Sequence, residues 1–505
     1  IVFHDNLLQL FDVCIKCGVA TRAHIYRPNG GTLMEVEQVC RKRGCGFIRV
    51  WRTQPMIGNV SAGNLLLSAA ILTSGSSPKK FLRALSSFNV CTYSYATFFN
   101  HQKWYLHPAI THTWKQSQED LLTAVCNQET DAILGMDMRA DSMGHSAKYG
   151  CYSTLEMTQN KVLHIELVQK NEVDNKSNNM EKEGLVRAMA WMAEKDVKVG
   201  TIITDRHRQI AKYIRENLVP KGMKHFFDVW HVAKGLKKKL LKVGKMSGCD
   251  EVNNWVHGIV NNLYWVAAST PDGDPDLMLA KFESIENHVL NIHEHDNPLF
   301  PACVHGLLED RKWLKPGTKP ALEVEKILGG TWMKKDVKML SPCMQTSSVE
   351  SFHSVINHFA PKMHVYMYES MLCRILLAAL HFNENAGREQ ATDRKGDPLY
   401  NIVYPRSKKD SGGYTVRKIL VSCTYNYAKR VMQRTLFLCR QGRKDSKTDY
   451  QQLSRNPGCL TQTVQRPNKN EAIQQFVSRF GKTTEAVGRP EVHVQQAEND
   501  GGGGD

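Results

Sequence analysis

The sequence predicts an α/β fold built on one mixed sheet, and two observations between residues 127 and 231 support this. Three strand-like runs separated by short connections come first, which is typical of an antiparallel meander. Helical and strand-like runs then alternate, as they do where helices connect parallel strands. The predicted strands are Ala132–Met136 leading into Asp137, Tyr149–Met157, Val162–Val168, Val199–Thr204 and His225–Val229, and the predicted helices are Lys182–Glu194 and Arg208–Leu218.

The order of these elements is the ribonuclease-H-like topology, in which the first strand is central and lies beside the fourth. Asp137 belongs to the first strand and Asp205 ends the fourth, so we expect their carboxylates to approach each other closely. Carboxylates at short range repel unless divalent cations lie between them. The pair therefore predicts a metal site that further acids would complete.

Composition narrows the class of protein. At 505 residues the chain is too long for one ordinary domain, and its 42% hydrophobic content is typical of globular proteins. We expect no membrane association, because no apolar run reaches the length of a membrane span. The net charge of +16 favours a polyanionic partner such as nucleic acid, with a merely soluble basic protein as the alternative. Fourteen cysteines without regular pairing indicate a reducing compartment.

Residues 1–55 contain two close cysteine pairs, Cys14 with Cys17 and Cys40 with Cys45. This spacing predicts a zinc ribbon, because Zn²⁺ prefers four thiolates in a tetrahedron and so small a segment has little core of its own. The zinc would be structural, since the protein supplies all four ligands. Four unrelated thiols or two disulfides are the alternatives. The glycines expected to give the cysteine turns their backbone freedom are Gly18, Gly44 and Gly46.

Residues 56–126 are predicted to be helical. Ser77 is the expected N-cap of one helix and Pro78 its first residue. Short helices with exposed lysines favour either a helix-turn-helix-like DNA-binding unit or a plain helical connector. The predicted helices are Ala62–Thr73, Lys79–Ser87, Tyr93–Leu106 and Pro108–Cys126.

Residues 232–340 interrupt the alternating pattern and predict a helical insertion. A break at Ser269–Asp276 precedes a helix over Asp276–Asn291. The insertion begins with a basic run that either contacts DNA or forms a solvated face. The lysines proposed to bind nucleic acid are Lys234, Lys237, Lys238 and Lys239.

The segment 341–385 returns to the core with two helices, the second over Tyr366–Phe382. In the first, an apolar stripe at helical spacing runs beside a polar line of Glu350, His353 and Asn357. Glu350 has two interpretations: a capping box with Ser347, or the third acid of the metal site. Residues 386–440 form a mixed extension in which Val416–Gln433 is regular but of undetermined type. The polar stretch 441–505 is expected to be disordered.

Asp137, Asp205 and Glu350 are the residue types that hold two Mg²⁺ or Mn²⁺ ions. Such a pair of ions can activate a nucleophilic oxygen and stabilise the leaving oxygen in phosphodiester cleavage. Asp141, on the same strand face, is a rival for the first position. The remaining candidates near the site are His207, a phosphate contact or loop residue, and the pair Asp228 and His231, a substrate contact or structural pair.

Four stretches together resemble the DDE transposases of cut-and-paste elements: LGMDMRADSMGHSAKYG, TIITDRHRQI, FFDVWHVAKGLKKKL and TSSVESFHSVINH. The Asp228-x-x-His231 pair is similar to a motif of the Mutator-like and related bacterial insertion-sequence groups. The resemblance covers about residues 127–385 and also implies a helical insertion before the last acid. It implies the triad of Asp137, Asp205 and Glu350, with Asp228 and His231 in support.

The resemblance also implies nicking by water, followed by attack of the freed 3′-hydroxyl on target DNA. It further implies transposon-end and target DNA as partners, a homo-oligomer, and the nucleus as the location of a eukaryotic, transposon-derived protein. Two other functions fit the same residues. One is a host-recruited DNA-binding protein without catalysis, and the other is a nuclease that cleaves without joining.

Overall fold

The structure is a computed structural model of the chain, and the chain divides into two compact units, Ile1–Pro457 and Gly458–Asp505. In the second unit a helix spans Lys469–Gln474; most of the predicted disordered tail lies outside the described residues. The described residues are 2–27, 30–143, 146–306, 308, 311–342, 344–405, 413–442, 457–458, 460 and 465–476.

The N-terminal region is a small antiparallel sheet with a core of its own. Leu7, Phe11 and Val36 are buried together beneath it. Gly18, Gly44 and Gly46 all have positive φ, as the tight cysteine turns require. A short helix α1 (His4–Leu8) precedes the strands β1 (Thr21–Tyr26), β2 (Glu35–Cys40) and β3 (Ile48–Arg52), and a two-stranded hairpin of β4 (Met56–Ile57) and β5 (Val60–Ser61) follows them.

Four helices follow, and the cap and bounds of these helices agree closely with those predicted from the sequence. The side chain of Ser77 accepts a hydrogen bond from the backbone N–H of Lys80, and Pro78 is the first helical residue. Tyr93–Leu106 is only partly an α-helix, because the helix starts at Tyr95 and passes into a π turn over Gln102–Leu106. The helices are α2 (Ala62–Thr73), α3 (Pro78–Ser87), α4 (Tyr95–His101) and α5 (His107–Cys126).

A mixed five-stranded sheet forms the centre of the first unit. Its strands are β6 (Ala132–Ala140), β7 (Tyr149–Glu156), β8 (Lys161–Gln169), β9 (Val199–Thr204) and β10 (Lys224–Phe227). Their order across the sheet is β10-β9-β6-β7-β8, so β6 is central. The pairs β6–β7 and β7–β8 are antiparallel, whereas β6–β9 and β9–β10 are parallel. The fifth strand is shorter than predicted, because a helix already begins at Val229.

Helices cover both faces of this sheet, and every residue of β7 is buried. On one face lie α6 (Met180–Glu194) and α7 (Arg208–Asn217). The residues that α6 buries there include Leu185, Ala188, Met189 and Met192. The other face packs in one core with α2, α5, α13 (Ser347–Phe359), α14 (Tyr368–Asn385) and α15 (Asn426–Gln441).

A glycine in β6 permits the close packing of α13. A Cβ on Gly135 would lie 2.4 Å from Met157 Sδ and 3.3 Å from Val349 Cγ2, which is the first buried residue of α13. A larger side chain at this position would push the helix away from the sheet. Gly135 stands two residues before Asp137, so the close approach also fixes the distance between α13 and that acid.

The predicted insertion is helical and has a separate hydrophobic core. Its helices are α8 (Val229–Val243), α9 (Val252–Ala268), α10 (Pro275–His288), α11 (Lys319–Leu328) and α12 (Thr331–Val337). The type of regular structure over Val416–Gln433 was left open by the sequence. This stretch contains the last residues of β12 (Thr415–Lys418), which pairs with β11 (Tyr400–Val403), and the first half of α15. No helix among the described residues is long and apolar enough to cross a membrane.

Candidate active site at the carboxyl edge of the sheet

The register of the parallel strands brings three aspartates to one edge of the sheet. Gly135 of β6 is the partner of Ile203 of β9, and two further residues along each strand lead to Asp137 and Asp205. Thr204 of β9 is in turn the partner of Phe227 of β10, so the next residue of each strand is Asp205 or Asp228. Parallel strands end at the same edge, and the three acids therefore adjoin one another.

The neighbouring acids act on the pKa of Asp137. Burial raises the pKa of Asp137 to about 7, and the charge of Asp205 adds most to the rise, followed by Glu350 and Asp228. The backbone N–H of Met138 donates to Asp137 Oδ1 at 2.7 Å and opposes the rise. Glu350 thus acts on Asp137 across more than 200 positions of sequence.

The polar line of α13 faces the sheet edge. Glu350 Oε1 lies 3.5 Å from His231 Nε2 at the start of α8. Glu350 does not form the alternative capping box, because Thr346 is the N-cap of α13 and no side chain caps that end. One turn on, His353 Nδ1 lies 3.6 Å from Asp137 Oδ2. Burial lowers the pKa of His353 to about 3, so this contact joins a neutral ring to the acid.

Asp228 anchors the site from within. It is fully buried, and its Oδ1 accepts hydrogen bonds from the backbone N–H groups of Trp230 and His231, which makes it the N-cap of α8. Its Oδ2 accepts from both the backbone N–H and the hydroxyl of Thr346, each at 2.6 Å. Asp228 therefore ties the start of the helix with His231 to the start of the helix with Glu350.

The two weaker sequence candidates have local partners. Asp141 is buried after the end of β6, where its carboxylate accepts from the backbone N–H of Lys148 at 2.9 Å. It thereby closes the turn between β6 and β7. The backbone N–H of His207 donates to Asp205 Oδ1, and its ring Nε2 lies 3.8 Å from Glu181 Oε2.

Sequence reasoning missed Glu181 as a member of this acidic cluster. It lies in the first turn of α6, and burial raises its pKa to about 8, with Asp205 and Asp137 adding to the rise. An acid in a first helical turn is common because it interacts favourably with the helix dipole, so its sequence position gives no signal. His353 was recognised only as part of a polar line, although its spacing of three residues from Glu350 was a usable signal.

A family comparison agrees with this geometry. Residues 111–298 match the family model of Mutator-like transposases. Over this stretch, the chain is similar to Mutator-like transposases. The matched range includes Asp137, Asp205, Asp228 and His231 and ends before Glu350. No curated protein matches the chain.

The basic run lies on the solvent-facing side of α8. Val232, Leu236 and Leu240 are buried on the opposite side of that helix. Lys234 Nζ lies 4.4 Å above the ring of Trp230, which is itself 41% exposed. The four predicted lysines, Lys234, Lys237, Lys238 and Lys239, are all exposed.

Outside the matched range, the four N-terminal cysteines converge. Cys14 Sγ lies 3.9 Å from Cys45 Sγ, and Cys17 Sγ lies 3.5 Å from Cys40 Sγ. All four are free thiols with sulfurs within 4.8 Å of one another, which is compatible with a zinc ribbon and excludes two disulfides in this structure. Adjacent ligands in a tetrahedral Zn–S₄ site are about 3.8 Å apart, so the cysteines fit zinc.

The acids differ from the cysteines in spacing. Among the described residues, two groups of metal-ligating atoms have all members within 4.8 Å, and the triad of Asp137, Asp205 and Glu350 is not one of them. Two ions about 4 Å apart need ligands spread over a wider space than one ion does.

Proposed function

We propose that this protein is a DDE transposase that cleaves DNA at transposon ends and joins the freed 3′-hydroxyl to target DNA. The observation that carries the proposal is the strand register that brings Asp137 and Asp205 to one sheet edge, which the helix with Glu350 faces. The charges of Asp205 and Glu350 both contribute to the raised pKa of Asp137. This arrangement occurs in a chain with a stretch similar to Mutator-like transposases, whose family name implies DNA as substrate. The net charge of +16 suits the same partner.

The proposed core is ribonuclease-H-like and comprises residues 127–231 and 341–385. Its support is the central position of β6, the meander on one side and the parallel strands on the other. The rest of the proposed division is a ribbon at 1–55, a helical and possible helix-turn-helix segment at 56–126, an insertion at 232–340, an extension at 386–440 and a tail at 441–505.

Asp137, Asp205 and Glu350 would hold two Mg²⁺ or Mn²⁺ ions. The donor set fits, because carboxylate oxygens are the ligands these cations prefer and clustered acids need positive charge between them. When bound, the ions supply an activated nucleophilic oxygen and neutralise charge on the leaving oxygen. The chain itself aligns the acids through the sheet register and through the anchoring of Asp228 to Thr346.

Two histidines and one glutamate complete the proposed site. Ser153 lies 3.0 Å from His353 Nε2, which fixes the ring whose Nδ1 faces Asp137. His231 restrains Glu350 in the same way and faces the DNA side, since its side chain is 29% exposed. Glu181 adds a fourth carboxylate beside Asp205 and Asp137. The two histidines position the metal ligands, and Glu181 adds negative charge to the site.

The remaining parts of the proposal concern binding. Cys14, Cys17, Cys40 and Cys45 hold one structural Zn²⁺, and the exposed lysines of α8 contact phosphates. A homo-oligomer would let the protein hold two transposon ends together. A nuclear location follows from the substrate.

The test uses supercoiled plasmid DNA that carries the genomic sequences flanking the coding region. We expect the full-length protein to cleave this DNA with Mn²⁺ and to join a pre-cleaved 3′ end to a second plasmid. Asp205→Asn removes one ligand charge at constant size, so cleavage should be lost while DNA binding is retained. Binding is measured by a gel-shift titration.

The outcomes separate the three functions considered. Cleavage with joining supports the transposase, whereas cleavage without joining identifies a nuclease. Binding without cleavage, under both Mg²⁺ and Mn²⁺, identifies a DNA-binding protein. Equal cleavage by the protein and by Asp205→Asn would refute the assignment of the triad.

A further inference from the structure

A second group of metal-ligating side chains lies in the helical insertion, far from the motifs of the sequence analysis. Its ligand atoms all lie within 4.8 Å of one another. One member ends α10, and the other three belong to the irregular segment that connects α10 with α11. The four residues are His288, His293, Cys303 and His305.

We propose that these four residues bind a structural Zn²⁺ ion that fixes the connecting segment to the end of α10. Three imidazoles and one thiolate are ligands that zinc prefers and that Mg²⁺ does not. Because the protein supplies all four ligands, the site is closed and has no position for a substrate. The proposal is independent of the acidic site and of the function proposed for it.

The distances fit a tetrahedral zinc site. His288 Nδ1 lies 3.6 Å from Cys303 Sγ, and His293 Nδ1 lies 3.2 Å from His305 Nε2. With Zn–N bonds of about 2.1 Å and a Zn–S bond of about 2.3 Å, tetrahedral geometry separates neighbouring N and S atoms by about 3.6 Å and neighbouring N atoms by about 3.4 Å.

Hydrogen bonds outside the cluster set the tautomers that a metal needs. His293 Nε2 lies 3.1 Å from Asn291 Oδ1, so this nitrogen carries the proton and donates it. His305 Nδ1 likewise donates to the backbone carbonyl of Gly306 at 2.9 Å. In the neutral rings the two inner nitrogens, 3.2 Å apart, then both present lone pairs. Two facing lone pairs repel, and a cation between them turns that repulsion into two bonds.

A fourth histidine supports the thiolate. Asn287 Nδ2 lies 3.2 Å from His295 Nδ1 and can donate a hydrogen bond to that nitrogen. The proton of the neutral His295 ring is then on Nε2. That Nε2 lies 3.3 Å from Cys303 Sγ. When zinc binds, the Cys303 thiol loses its proton, and His295 then donates a hydrogen bond to a negatively charged sulfur.

The backbone is built to hold the ligands in place. Glu294 and Ala302 form an antiparallel bridge, and the N–H of Cys303 donates to the carbonyl of His293 at 2.9 Å. The connection from Val289 to Thr318 contains no described helix or longer strand. A connection of this length within a packed region needs a stabilising feature, and a metal ion supplies one.

The test measures zinc per chain in the purified full-length protein by inductively coupled plasma mass spectrometry. We expect two equivalents in the wild type and one equivalent each in Cys303→Ser, His293→Ala and Cys17→Ser, where Cys17→Ser removes the N-terminal site alone. The matched control is His257→Ala, an exposed histidine of α9 outside the cluster, which should keep two. His305→Ala replaces an exposed ligand and keeps the test valid if the variants at the partly buried ligands fail to fold.

Cobalt provides a second readout in the Cys17→Ser background. Co²⁺ added to this protein should give the visible spectrum of a tetrahedral ion with one thiolate ligand, and Cys303→Ser should abolish the thiolate band. Equal zinc content in His305→Ala and His257→Ala, or a wild type whose zinc is lost entirely in Cys17→Ser, would overturn the proposal.

Discussion

The thiol cluster at the N-terminus and the acidic cluster at the sheet edge are two metal-site candidates of opposite construction. The four cysteines come from neighbouring turns of a small sheet, and their sulfurs lie within 4.8 Å of one another. The acids come from β6, the end of β9 and α13, and one of them, Glu350, has a side chain that is 47% exposed. The first cluster is closed around one position, and the second is open to a substrate.

The two clusters are expected to have different roles, with the cysteines stabilising the fold and the acids taking part in the chemistry. A metal with four protein ligands contributes its binding free energy to the folded state. Burial and the neighbouring carboxylates raise the pKa of Asp137, so its charged form destabilises the folded state until cations bind. We therefore expect mutations in the two clusters to have opposite effects on stability and activity, and the following predictions test this in order of decreasing effect.

The largest effect is expected for removal of zinc from the ribbon. Cys17→Ser should unfold residues 1–55, because structural zinc contributes on the order of 10 kcal/mol to the folding of such small segments. The five-stranded sheet should persist, since its core is separate from that of the ribbon. Limited proteolysis with mass spectrometry locates the unfolded segment. Cys91→Ser, a partly buried cysteine outside the cluster, is the control, and equal resistance of both variants would contradict the prediction.

The next largest effect is expected for Asp137→Asn. Cleavage should fall about a thousandfold or more, because a lost metal ligand removes several kcal/mol of transition-state stabilisation. In metal-free buffer at pH 8 the free energy of unfolding should instead rise by on the order of 1 kcal/mol, because the substitution removes one buried negative charge from a cluster of negative charges. Denaturant titration and plasmid cleavage measure the two quantities.

Asp141→Asn is the matched control for that experiment. Its carboxylate closes a turn through the backbone N–H of Lys148, and the amide oxygen of asparagine can accept the same bond. This variant should keep cleavage near the wild-type rate. If it loses cleavage while Asp137→Asn retains it, Asp141 is the metal ligand and the assignment of the two acids is reversed.

Asp228→Ala should lower the free energy of unfolding by about 3 kcal/mol, because it removes a helix N-cap and leaves buried donors of Thr346 without an acceptor. Cleavage should fall as well, since the helices with His231 and Glu350 lose their common anchor. Asp228→Asn keeps one acceptor oxygen and should have a smaller effect on stability. Identical denaturation midpoints for the three proteins would show that Asp228 is not an anchor.

The smallest effect is expected for the lysines of α8. The double variant Lys237→Gln and Lys238→Gln should weaken binding to DNA of any sequence. The slope of log Kd against log salt concentration should become shallower by the amount that corresponds to about two phosphate contacts. Fluorescence anisotropy at several salt concentrations measures this slope. Lys326→Gln, which removes a lysine paired with Glu323 elsewhere in the insertion, should leave the slope unchanged.

Local signals predicted much of the fold correctly. The helix Ala62–Thr73 and the strand Val199–Thr204 have the predicted bounds, and Ser77 caps its helix as expected. The glycines of the cysteine turns likewise have the backbone conformation expected of them. Errors occur where one element passes directly into another: the strand predicted through Val229 ends at Phe227, because Asp228 already caps the next helix.

The candidate site was only partly predictable. Asp137, Asp205 and Glu350 stand out because each follows an apolar run or begins a helical stripe. Glu181 carries no such mark, and the capping of α8 by Asp228 does not reveal its second bond to Thr346. The cluster of His288, His293, Cys303 and His305 has irregular spacing, so the sequence did not single it out.

The sequence by itself determined the alternation of elements, the helix caps and the cysteine pairs, because periodicity and turn chemistry act between residues close together in the chain. Only the tertiary structure decided which distant side chains meet. Ser153 and His353 lie about 200 positions apart and share a hydrogen bond. Their meeting depends on strand register and on how closely α13 packs against Gly135, which are properties of the assembled core.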